Sequence, residues 1–115
     1  MVSEQKIREA VERLRESADP VKIILFGSYA RGNARDDSDL DFLVVEKEVE
    51  SRYREMVRLQ KAILPLRVAA DILVVSKKNF DEWSDTPGNV LYFAAQEGKV
   101  VYEMESASGY QKDSQ

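Results

Sequence analysis

Gly27-Ser28-Tyr29-Ala30-Arg31-Gly32-Asn33-Ala34-Arg35-Asp36-Asp37-Ser38-Asp39-Leu40-Asp41 joins two short apolar runs, Val21 to Phe26 before it and Leu40 to Val45 inside and after it. Both runs are rich in β-branched and aromatic residues and read as strands. Gly27 stands where the first strand ends. With no Cβ, it lets the backbone turn sharply and lets an anion approach closely. Ser28 is placed to cap a short helix, whose free N–H groups, with its hydroxyl, suit phosphate oxygens. Asp39 and Asp41 lie two apart, so in a strand both would point to one face while Leu40 and Phe42 point to the other. Two carboxylates so placed repel each other unless a cation neutralises them.

Outward from this stretch, Ile7, Ala10, Val11 and Leu14 have helical spacing after Ser3, which predicts a helix over about 4 to 17, ended by Asp19-Pro20. Val68 to Val75 forms a third apolar run, and between the second and third runs Val49, Tyr53, Met56, Val57, Ile63 and Leu64 trace one face of a long helix closed by Pro65. A short helical piece is expected around Asn79 to Trp83. Thr86-Pro87 follows as cap and first-turn proline of a helix that stops at Gly98, and Lys99 to Glu103 forms an edge strand. The expected fold is α/β (α+β): a mixed central sheet of about four strands with helices packed mainly on one face. Residues 1–104 read as one domain and 105–115 as a disordered polar tail.

The third run is interrupted by a single acid, Asp71, beside the small residues Ala69 and Ala70. If this strand lies next to the second, Asp71 shares a face with Asp39 and Asp41, since opposed Cβ atoms are only about 4.5–5.5 Å apart. Three carboxylates facing a phosphate-binding turn suit metal-assisted phosphoryl transfer. Hard oxygen ligands select Mg²⁺, with Mn²⁺ as a substitute, when substrate phosphates complete the coordination. Asp39 and Asp41 would hold the metals. Asp71 would hold the metal that activates the acceptor hydroxyl and could take its proton.

Composition narrows the alternatives. The chain of 115 residues has no cysteine and no histidine, which removes disulfides, thiolates and imidazole and leaves carboxylates to handle metals and protons. Its net charge of -4 argues against a broad grip on a nucleic-acid backbone. No apolar run approaches the roughly 20 residues of a membrane span. A cytoplasmic protein with no direct nucleic-acid binding and no membrane contact is expected.

With these residues in view, the chain resembles the DNA polymerase beta-like nucleotidyltransferase superfamily, whose signature is Gly-Ser, ten residues, then Asp-x-Asp, with a further Asp on a later strand. Gly27, Ser28, Asp39, Asp41 and Asp71 fill those positions. It is most similar to the minimal nucleotidyltransferases (MNT) through Phe26-Gly27-Ser28-Tyr29-Ala30-Arg31-Gly32 and Asp37-Ser38-Asp39-Leu40-Asp41, over about Val21 to Glu103. The resemblance implies a nucleotidyltransferase fold and Mg²⁺-dependent transfer of an NMP, AMP from ATP, to a hydroxyl. It also implies a HEPN-type helical toxin as partner, neutralised by adenylylation of a tyrosine. The alternative is a non-catalytic antitoxin that binds and masks its partner. Arg31, three residues after Ser28, is a candidate phosphate contact.

Other residues read more plainly. Asp36 and Asp37 are solvated loop acids, and a calcium loop there lacks its Gly and its closing Glu. Arg35 is a surface charge. Arg52, Arg54 and Arg58 among Glu46, Glu48, Glu50 and Glu55 read as a salt-bridged solvated face. Phe80, Trp83, Tyr92 and Phe93 read as core or helix-packing residues.

Overall fold

The Ser3 hydroxyl accepts a hydrogen bond from the Lys6 amide at 3.2 Å and starts α1 (Glu4–Ala18), as its position predicts. The helix ends where Asp19 turns left-handed (φ 48°) and its N–H reaches the Arg15 carbonyl. The structure, a computed structural model, describes residues 1–104. The tail expected at 105–115 lies outside the described residues.

Four strands follow: β1 (Lys22–Phe26), β2 (Leu40–Glu46), β3 (Ala70–Ser76) and β4 (Lys99–Glu103). They form one mixed sheet in the order β3-β2-β1-β4, with β2 and β3 parallel and the other pairs antiparallel. The parallel pair requires a crossover, supplied by α3 (Arg52–Ile63) and a 3₁₀ turn (Leu64–Leu66) that holds Pro65. A short α2 (Ser28–Arg31) links β1 to β2, and α4 (Lys77–Trp83) and α5 (Val90–Glu97) precede β4.

The long helices α1 and α3 pack on one face, where Ala10, Leu14, Leu59 and Ile63 meet Ile23, Leu25, Phe42, Val44 and Ile72. On the opposite face the two short helices set Phe80 and Ala94 against Ile24, Leu43, Val45 and Val75. Strand alternation puts Asp41 and Asp71 on this second face, in step with Leu43, Val45 and Val75. Among the described residues no helix is long and apolar enough to cross a membrane.

Three local expectations are corrected. In α3 the buried positions are Leu59 and Ile63, with Met56 packed beside them, whereas Tyr53 and Leu64 are 76% and 71% exposed. The helix has two apolar stripes, and the one that contains Leu59 won the sheet. The cap of α5 is Asn89, not Thr86: its side-chain oxygen accepts from the Leu91 and Tyr92 amides, and its amide group donates to the Trp83 and Thr86 carbonyls. Of the four aromatic residues assigned to packing, Phe80 is buried, but Trp83 and Phe93 are about half exposed.

Candidate active site

Gly27 ends β1 with φ 76° and ψ -154°, a backbone region essentially closed to residues with a Cβ. A side chain there would meet a second obstacle. An added Cβ would overlap Oδ2 of Asp41 and come within 3.1 Å of its Cγ. The turn and the acid are thus packed directly against each other, and only a glycine leaves space between them.

Beyond Gly27 the chain makes the single turn of α2. The Arg31 amide donates to the Gly27 carbonyl at 3.1 Å, and the left-handed Gly32 closes the turn with its N–H on Ser28 O. The amides of Ser28, Tyr29 and Ala30 precede Arg31, the first amide of the turn to be bonded, so they have no acceptor within the helix, a setting that suits an anion. Tyr29, to which the sequence pattern assigned no role, anchors this turn: its hydroxyl accepts from the Val2 amide at 2.8 Å, and its ring packs on the core. Its position beside Gly-Ser was the available signal, but its partner lies 27 residues away in the chain.

Asp41 is partly buried at the second position of β2, between Phe26 of β1 and Asp71 of β3, its two register partners. Parallel pairing in this register puts both acids on one face. Asp71 is exposed on the outer strand. Asp39 is also exposed and falls one residue before β2 begins, so it is held by a loop and not by strand pleating, unlike the expected strand position. That loop is shaped by Ser38, whose hydroxyl accepts from the Arg35 amide at 2.8 Å and whose amide donates to the Arg35 carbonyl.

Burial pushes the Asp41 carboxyl up from the ordinary carboxylate range. The charges of Asp71 and then Asp39 push it further, and Arg31 opposes them. Asp41 therefore lies in a field of negative charge that a cation would relieve. Hard carboxylate oxygens of this kind fit Mg²⁺ or Mn²⁺. Among the described residues, however, no three acids are already gathered around one point. The expected three-acid cluster takes the form of a register pair plus a third acid on a loop, as repulsion between like charges favours. Arg31 leans toward Glu97, at 3.8 Å, with both side chains about half exposed.

A turn with free leading amides, packed against a register pair of carboxylates, suits a metal-bound nucleotide. The family described as the nucleotidyltransferase domain matches residues 4–84, a span that contains every one of these residues. The chain belongs to that family. A Methanocaldococcus jannaschii protein, assigned provisionally as a protein adenylyltransferase, is 37% identical over 108 residues, covering 89% of this chain and 100% of that protein. A solved structure provisionally described as a minimal nucleotidyltransferase is 32% identical with a TM-score of 0.57, covering 83% of this chain and 89% of that one. A chain from a toxin-antitoxin structure solved with AMP-PNP shares the fold at 19% identity, with a TM-score of 0.53 and coverage of 85% and 74%.

Proposed function

We propose that this domain is a Mg²⁺-dependent nucleotidyltransferase that transfers AMP from ATP to a hydroxyl, a tyrosine of a HEPN-type helical toxin, and so acts as a cytoplasmic antitoxin. The observation that carries the proposal is the placement of Asp41 between the Gly27 turn and Asp71. The 37% identity to a protein provisionally assigned as a protein adenylyltransferase supports the choice of acceptor class, and the likeness to a chain of a toxin-antitoxin structure supports the fold.

In this reading the Ser28 hydroxyl and the first amides of α2 bind phosphate oxygens, and Gly27 gives them access. Asp39, Asp41 and Asp71 would hold two Mg²⁺ ions, with Mn²⁺ as a substitute; bound there, the ions would offset negative charge on the phosphates and on the attacking oxygen. Asp71, exposed at the sheet edge, takes the proton of the acceptor hydroxyl as its oxygen bonds to the α-phosphorus and pyrophosphate leaves. Arg31 turns from Glu97 toward the phosphates.

The protein with its co-purified partner, incubated with ATP and Mg²⁺, tests this by intact mass. The expected result is one or more added AMP units on the partner, lost in Asp41→Asn. Unchanged partner mass with wild-type protein would refute transfer to that acceptor. The masking alternative draws on the exposed apolar residues Tyr53 and Val57 of α3 and Leu64 of the 3₁₀ turn after it, a surface able to bind without chemistry. Neutralisation preserved in Asp41→Asn would favour it.

A further inference from the structure

The far end of β2 holds a second group of charges, about five residues beyond Asp41 along the strand. Glu46, expected among solvated charges, is instead buried at 8% exposure, and its Oε2 has no hydrogen-bond partner. A buried carboxyl oxygen without a donor costs on the order of 1–3 kcal/mol, more if charged, and few are left so in folded proteins. Glu46 lines a cavity of about 290 Å³ shared with Glu48, Glu50, Arg54, Glu55 and Arg58.

The two arginines differ in what they leave open. Arg58 is committed: it grips both oxygens of Glu55 at 3.0 and 2.6 Å and donates to the Ser17 carbonyl at 2.6 Å. It thereby neutralises Glu55 and ties α3 to the end of α1. With that pair cancelled, Glu48 and Glu50 face Arg54 across the cavity, an excess of negative charge beside the buried Glu46 carboxyl. The volume falls at the lower bound of small-molecule pockets and fits a side-chain-sized group better than a nucleotide. The terminal torsion of a glutamate is soft, so a small rotation of the Glu46 carboxyl turns its free oxygen toward the cavity.

We propose that this cavity is a cation subsite that takes a guanidinium or alkylammonium group, with Glu46 as its buried acceptor and Glu48 and Glu50 at its rim. A planar guanidinium suits it best, because two parallel N–H donors can satisfy both oxygens of one carboxylate. The source is either a free amine or an arginine side chain of a protein. The site is separate from the Gly27–Asp41 centre and does not depend on the transferase reading.

Binding should be proton-linked. Burial, then hydrogen bonding and charge from Glu55, push the Glu46 carboxyl up to about 8, with Arg58 opposing. The charged groups around it are Arg54, Glu55 and Arg58 from α3 and Glu48 and Glu50 from the preceding loop; α1 reaches this group through the Ser17 carbonyl, which accepts from Arg58, and Ser76 of β3 is the register partner of Glu46. A cation displaces the Glu46 proton, so affinity should rise about tenfold per pH unit well below that value and level off around it.

The test titrates the whole protein with agmatine at pH 7 and pH 8, following amide shifts by NMR and heat by calorimetry. A parallel arm uses a blocked tripeptide with one central arginine. Expected are shifts confined to Glu46–Arg58, about fivefold tighter binding at the higher pH as Glu46 passes from mostly protonated to half-ionised, and loss of that pH dependence with at least tenfold weaker binding in Glu46→Gln. This near-isosteric change keeps the fold, as its melting curve would verify, and Glu48→Gln supplies a second variant, expected to weaken binding severalfold without altering the pH slope. Tighter binding of the tripeptide than of agmatine would indicate a protein source, and the reverse a free amine. Absence of shifts in this cavity at about 10 mM of both probes, or a Glu46→Gln variant that binds as wild type does, overturns the proposal.

Discussion

Gly27→Ala and Gly32→Ala form a matched pair that separates backbone strain from site geometry. Both glycines have positive φ, 76° and 81°. At Gly32 an added Cβ meets nothing within 4 Å, so alanine there costs only the left-handed conformation, about 1 kcal/mol. At Gly27 the conformation is rarer, with a cost of about 1–3 kcal/mol. At about 4 °C per kcal/mol for a chain of this size, Gly32→Ala should melt about 4 °C low and Gly27→Ala about 4–12 °C low. The contact adds little to that loss, because its nearest atom is the movable tip of Asp41. Its effect falls on chemistry: turning the Asp41 carboxylate out of place by about 1 Å should lower AMP transfer roughly 100-fold. Thermal melts and transfer of labelled AMP from ATP to the co-purified partner, measured well below both melting points, check the two parts. Gly32→Ala should retain transfer within a few-fold. If Gly27→Ala also does so, or if the two variants lose activity equally, the Gly27–Asp41 approach is not what organises the site.

Asp41→Asn should lower transfer more than about 100-fold without loss of stability, since the native fold already favours the neutral form of this carboxyl; transfer assays and melts in one buffer check both. Asp71→Asn should lower transfer about 10²–10⁴-fold in the same transfer assay if Asp71 takes the acceptor proton. Glu46 is raised from 4.5 to about 8, so the folded state holds its proton more tightly and its contribution, complete below pH 4.5, is lost as pH rises to about 8. The ceiling is about 5 kcal/mol, but Glu55 is shifted down, chiefly by its bond to Arg58 and also by Glu46. A net fall on the order of 2 kcal/mol is expected in urea titrations across that window, and Glu46→Gln should remove most of the slope. Asn89→Ala removes the acceptor of two α5 amides and should cost about 1–2 kcal/mol without changing nucleotide affinity, read by denaturant melts and ATP titration.

Much of this protein is written locally. Apolar runs bounded by glycine, proline and acids predict the strands because those signals act within a few residues. The Ser3 cap does the same for α1. Gly27-Ser28, Asp39-x-Asp41 and Asp71 stand out in the sequence because a Gly-Ser pair at the end of an apolar run, and acids beside or inside such runs, are local anomalies. Packing decided the rest. Asp41 and Asp71 share a face only because β2 and β3 pair in parallel and in one register, a long-range outcome that one changed position in the pairing would have reversed. The helix α3 offers two apolar stripes and the sheet buries one, while Asn89 and Thr86 both have the chemistry of a cap and the path of the chain into α5 selects Asn89. Glu46 looks like one more surface charge in a charged stretch, yet it is the last residue of a buried strand. Sequence sets what each residue can do with its near neighbours; burial and the electric field around a carboxylate depend on segments distant in the chain, and exist only once those segments pack.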